Sequence, residues 1–172
     1  MSKFFVLIAM LFLVNASFAN NSPSSIPNFV QVNENILRGG HPGDQGLAEL
    51  KAMGVKTIID LEDSDEVISQ ESATAQNLGF KFISVPLSGF FEPSEKDVNF
   101  ILSNVEDPAN YPVFIHCTHG QDRTGMIMGL YRVFADQWQP KAAYAEMKKL
   151  GFHTFLFGLD DYFREHVGLD KD

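Results

Sequence analysis

Residues 113–129 read VFIHCTHGQDRTGMIMG, and they contain the single cysteine of the 172-residue chain, Cys117. An apolar run, YPVFIHC from 111 to 117, predicts a strand buried on both faces. A helix-like pattern opens near Arg123. The few residues between them leave room only for a tight arc, in which the backbone amides of Thr118 to Arg123 have neither a strand nor a helix partner. Gly120 permits the positive φ that turns several of them inward. A ring of N–H donors at a helix N-terminus is an anion site, and Thr118, His119, Gly120 and Gln121 are its predicted contacts.

Arg123, in the first helical turn, can reach back over the arc and grip two oxygens of a tetrahedral anion with its planar fork. The same amides favour a thiolate over a thiol at Cys117. His116 either satisfies a buried carbonyl or hydrogen bonds near the sulfur. A thiolate at the floor of such a ring suits phosphoryl transfer, which needs positioning and charge stabilisation on equatorial oxygens. Thr124 could hydrogen bond the sulfur when it leaves. A proton donor for the departing oxygen is also required, and Asp122, inside the arc, is favoured over Glu92 and Asp97.

Around this loop, strands alternate with helices. FVQVNENILR (29–38) predicts two short strands around an Asn-Glu-Asn turn. DQGLAELKAMG predicts a helix with Asp44 as N-cap and Gly54 past its end. VKTIIDLE and FKFISVPL predict strands, separated by a helix over DSDEVISQESATAQNLG. Ser94, with Asp97 three residues on, starts a helix through Val105. Beyond Arg123 the chain reads helical, with Pro140 in a first turn and a shorter piece around LDDYFREHV. The pattern predicts an α/β fold, a central mostly parallel sheet flanked by helices, with ligands at the C-terminal strand ends, where Cys117 falls.

The N-terminus, MSKFFVLIAMLFLVNASFAN, predicts a signal peptide over 1–19, since its apolar run is too short to span a bilayer. The Ser, Asn and Pro residues of 20–28 predict a flexible lead-in, and 29–172 one domain. The product is expected outside the cytoplasm, periplasmic or secreted, as a monomer. Thirteen Lys and Arg against 22 Asp and Glu give a net charge of −9; the signal holds Lys3 and no acid, so its removal makes the balance one unit more negative. Such a chain is a poor partner for nucleic acid or an anionic membrane surface.

HCTHGQDRTG resembles the signature loop of the cysteine-dependent protein tyrosine phosphatase superfamily, and the order of elements is similar to its compact dual-specificity branch. The resemblance implies Cys117 as nucleophile, Arg123 as phosphate clamp, Thr124 at the hydroxyl position, and no metal or cofactor. QDRTG is similar to members with Asp immediately before Arg. ILRGGHP resembles the LxRxxxP of small bacterial and plant-fungal members. A short secreted enzyme of this kind resembles the tyrosine-phosphatase-like inositol polyphosphatases, the cysteine phytases. The usual acid, an Asp after the third strand, is missing from VPLSGFFEPS.

The expected substrate is a small inositol polyphosphate, with phosphotyrosine or a phosphopeptide as the main alternative. Arg38, His41 and His119, with nearby lysines such as Lys81 and Lys96, are candidates for its basic rim. Phe90 and Phe91 could wall the pocket. Three rivals rank lower. A rhodanese-type sulfurtransferase commonly has a shorter loop. A metal site of His116, Cys117, His119 and His41 is opposed by the opposite facing of adjacent strand residues. A non-catalytic phosphate-binding module would be expected to lack one of the three loop groups.

Overall fold

The computed structural model describes Pro23 and residues 25–170. The predicted signal peptide lies outside these residues. A five-stranded sheet has the order β1-β2-β5-β3-β4. Its strands are β1 (Val30–Gln31), β2 (Ile36–Gly39), β3 (Thr57–Asp60), β4 (Lys81–Ser84) and β5 (Val113–His116). Only β1 runs antiparallel to its neighbour; β2, β5, β3 and β4 are mutually parallel. β5 is central, and Gly39, His116 and Asp60 lie level across it in register. The C-terminal ends of three strands therefore open onto the 117–123 loop.

Alternation along the strands divides the core in two. Ile36, Ile59, Val113 and Ile115 face the helices α3 (Glu95–Glu106), α4 (Arg123–Phe134), α5 (Pro140–Lys149) and α6 (Phe157–Val167). Leu37, Ile58 and Phe114 face α1 (Gly43–Ala52) and α2 (Asp65–Asn77). α4 is buried on every residue from Arg123 to Tyr131, which explains its unbroken apolar composition and absence of a polar stripe.

Ser94 caps α3 as expected, accepting from the Asp97 amide. Asp44 does not cap α1: the helix starts two residues earlier than that cap implies, with Pro42 at the cap, and Asp44 supplies its negative charge from the first turn. The expected flexible lead-in ends before Ile26. That residue is 5% exposed, and its side chain fills the space where Cβ atoms on Gly39 or Gly46 would intrude. Pro27 and Asn28 then pair with the rest of the domain, Pro27 O accepting from the Gly40 amide. Residues 25–28 are thus part of the domain, because the one apolar side chain in that polar stretch has a cavity to fill. No helix of the described residues is long and apolar enough to cross a membrane.

Candidate active site

Peptide groups direct C=O and N–H to opposite sides, so fixing the carbonyls of a loop fixes its amides. Three carbonyls of the 117–123 arc are held from outside. The His41 amide donates to Thr118 O at 3.1 Å, Asn28 Nδ2 to His119 O at 2.8 Å, and Arg38 Nη2 to Gly120 O at 2.6 Å. Asp122 O accepts from the Met126 amide at 2.8 Å and begins α4. Among the described residues, no amide from Thr118 to Arg123 donates to a protein acceptor. These amides lie at the N-terminus of a twelve-residue helix, an arrangement that suits an anion.

Gly120, at φ +71°, lies so close to Gly39 and Gly40 that a Cβ would overlap their backbone. The Gly pair of LRGG is therefore where the loop rests on the end of β2. Cys117 is buried, 2% exposed. Thr124 is fully buried, and its hydroxyl has no protein partner.

Arg123 is 9% exposed. Its Nη1 donates to Leu61 O at 3.1 Å, Leu87 O at 3.2 Å and Asp63 Oδ1 at 3.0 Å. Nη2 donates to Thr118 Oγ1 at 2.8 Å. No described hydrogen bond uses Nε, so one edge of the fork remains for an anion. Thr118 Oγ1 in turn donates to Glu62 Oε2 at 2.7 Å.

Two predicted rim residues are engaged by protein partners. Arg38 is 2% exposed and committed to Gly120 O, so it braces the loop and does not line its mouth. Burial lowers its pKa to about 10, against the nearness of Cys117, leaving it charged at neutral pH. His41 Nδ1 stands 3.1 Å from both Glu62 Oε1 and Glu71 Oε2. Its contacts with Glu62 and Glu71 raise its pKa to about 10 despite burial. Lys81 begins β4, level with Thr57 and at the opposite end of the sheet from Cys117, where it donates to Asn110. Lys96 is exposed in the first turn of α3.

Behind the loop lies a cluster that sequence reading missed: Asp60, Glu62 and Glu71 with His41 and His116. His116 Nε2 is 2.9 Å from Glu71 Oε1 and 3.8 Å from Asp60 Oδ1, all three side chains being at most 1% exposed. These are close nitrogen–oxygen contacts without an aligned hydrogen bond. Burial pushes the Glu71 pKa up, but His116 and His41 outweigh it and hold it at about 2. Glu62 is likewise depressed, its burial outweighed by His41 and Thr118, whereas burial raises Asp60. Ligand atoms of His41, Glu62 and His116, and of Asp60, Glu71 and His116, lie within 4.8 Å of one another. Neither triad includes Cys117 or His119, and Glu62 joins the cluster to the loop by accepting from Thr118 Oγ1. A readable signal existed: Glu71 occupies the Val67–Glu71–Ala75 row of α2, a carboxylate on a buried helical stripe.

Of the proton-donor candidates, Asp122 is at the loop, where Oδ1 accepts from the His153 amide at 2.8 Å. Asp97 is engaged with Ser94 at the start of α3. Glu92 is exposed in the segment after β4. That segment meets the start of α6, since a Cβ on Gly158 would press on the backbone of Phe90, Phe91 and Glu92. Phe90, Phe91, Phe155 and Phe157 are each at least 65% exposed on these two stretches.

Comparison with known proteins agrees with this geometry. The dual specificity protein phosphatase TpbA of Pseudomonas aeruginosa is 26% identical over 126 residues, 73% of this chain and 55% of the relative. Inositol diphosphatase SIW14 of Saccharomyces cerevisiae is 30% identical over 131 residues, 73% of this chain and 46% of the relative. The chain thus spans about half the length of these relatives. The crystal structure of TpbA superposes with a TM-score of 0.69 at 25% identity, over 82% of this chain and 85% of that one. The catalytic core of SIW14 with citrate superposes with a TM-score of 0.70 at 25% identity, over 82% and 87%. The family model described as "DSP-PTPase phosphatase fused to NAD+ Kinase" matches residues 9–158, and the chain belongs to that family.

Proposed function

We propose that the protein is a phosphomonoesterase that works through a phosphocysteine at Cys117, with inositol phosphates as substrates. The observation that carries the chemistry is the set of amides from Thr118 to Arg123, none with a protein acceptor, ringed over a buried Cys117. They replace the solvation of the phosphoryl oxygens, and Arg123 adds its open guanidinium edge. The thiolate attacks phosphorus in line, the ester oxygen departs with a proton, and water then frees phosphate from sulfur. The unpartnered Thr124 hydroxyl stabilises the sulfur in that second step. Neither step requires a metal or cofactor. The signal read in residues 1–19 would place this activity outside the cytoplasm.

Relatives' names support the inositol phosphate reading without excluding the other: inositol diphosphatase DSP1 of Oryza sativa subsp. japonica is 31% identical over 111 residues and SIW14 30%, beside the dual specificity protein phosphatase TpbA at 26%. A specific observation favours a second reading, phosphotyrosine. Arg38 and His41 are spent on protein partners, which thins the basic rim that several phosphates would want, while four exposed phenylalanines lie on the segment after β4 and around the start of α6, which meet at Gly158. A phosphate-release panel on inositol hexakisphosphate, an inositol pyrophosphate and a phosphotyrosine peptide decides between them. Preference for the peptide by kcat/KM would displace the first reading, and no release from any of the three by wild type, with Cys117→Ser as the blank, would remove both.

A further inference from the structure

The fold brings to the loop a histidine from 31 positions downstream. His153 follows α5 and precedes α6. Its backbone amide and its ring nitrogen Nδ1 both engage the Asp122 carboxylate, Nδ1 standing 3.1 Å from Oδ1 and 3.2 Å from Oδ2. In the tautomer that suits this contact, Nδ1 donates to the carboxylate, which only accepts when ionised. Every described polar contact of the ring runs through Nδ1, which leaves Nε2 free on a side chain that is 45% exposed. Asp122 itself is 17% exposed.

The placement is built, not incidental. Phe152, the preceding residue, is 5% exposed in the core and lies against Gly125 of α4. Gly151, at φ +93°, approaches so closely that a Cβ there would stand 2.5 Å from the Gln121 side-chain nitrogen. Segment 151–153 is therefore packed against the loop residues that flank the clamp. A carboxylate that fixes one imidazole nitrogen and leaves the other facing outward is how a proton-transfer histidine is oriented. The segment after β4, where the family's acid is expected, offers no Asp.

We propose that His153 is the proton-transfer residue of the reaction and that Asp122 is its positioning residue. The proposal rests on the phosphocysteine reading. As sulfur bonds to phosphorus and the P–O ester bond breaks, the oxygen takes its electron pair and the Nε2 proton, leaving His153 neutral. In the second step, water loses a proton to Nε2 as its oxygen bonds to phosphorus. The S–P electron pair returns to Cys117, and both groups regain their starting states.

The test compares full-length wild type with His153→Ala, His153→Asn and Asp122→Asn on p-nitrophenyl phosphate and on an alkyl or inositol monophosphate. Loss of a general acid matters most when the leaving oxygen is basic. His153→Ala should lose about 10²–10⁴-fold in kcat/KM on the alkyl ester but under about tenfold on the nitrophenyl ester. Imidazole in the buffer should restore part of the alkyl rate. His153→Asn keeps an N–H for Asp122 and should lose as much as His153→Ala while melting like wild type. Asp122→Asn should show the same leaving-group pattern without imidazole rescue. Equal losses on both esters, no rescue, or an active His153→Asn would overturn the assignment. Absence of a phosphocysteine in wild type would instead overturn the reading beneath it.

Discussion

Arg38 and Gly120 are 82 positions apart in sequence, yet Arg38 Nη2 donates to the Gly120 carbonyl at 2.6 Å. The bond joins β2 to the turn of the anion loop and turns that carbonyl away from the cradle. A cation expected to contact substrate therefore braces the loop.

Arg38→Leu should leave the Gly120 carbonyl without its charged donor, at a cost of about 1–3 kcal/mol. The melting temperature should fall, and inhibition by inorganic phosphate or vanadate should weaken by about tenfold, equivalent to about 1.4 kcal/mol. Differential scanning fluorimetry and a competition assay check both.

Gly120→Ala should abolish useful activity. The left-handed conformation alone costs an L-residue about 1–2 kcal/mol. The overlap with Gly39 and Gly40 would also push the arc off β2. A displacement of about 1 Å in a positioned site costs on the order of 10²-fold in rate. Steady-state kcat should fall by at least that much, with part of the stability retained.

Stability should vary with pH through His41 and Glu71. His41 is raised from 6.5 to about 10, so its contribution is complete below about pH 6.5 and is lost as pH rises through about 10. Glu71 is lowered from 4.5 to about 2, so its contribution is complete above about pH 4.5 and is lost as pH falls through about 2. Both operate between these limits. Thermal unfolding across pH should show the alkaline decline between about pH 6.5 and 10 flattened in Glu71→Gln, because His41 loses one of its two partners.

The parallel sheet and the loop were legible because VFIHC and TIID are apolar on consecutive residues and because one Cys and one Arg frame a glycine turn. The cluster behind the loop was less legible, since it depends on which residues the strands bring level. Asp60 and His116 share a register position that neither sequence stretch contains alone. His153 was passed over for the same reason: nothing near FHTF points to Asp122, and only packing of Phe152 and Gly151 brings them together. Arg38 was expected at the basic rim, and its burial could not be read from a charged residue beside glycines.

Acid-quenching the enzyme during turnover and mapping phosphoryl adducts by mass spectrometry tests the account most directly. A phosphoryl group on the peptide containing Cys117, absent from Cys117→Ser, is the expected result. Turnover in wild type with no adduct at Cys117, together with undiminished hydrolysis by Cys117→Ser, would contradict it.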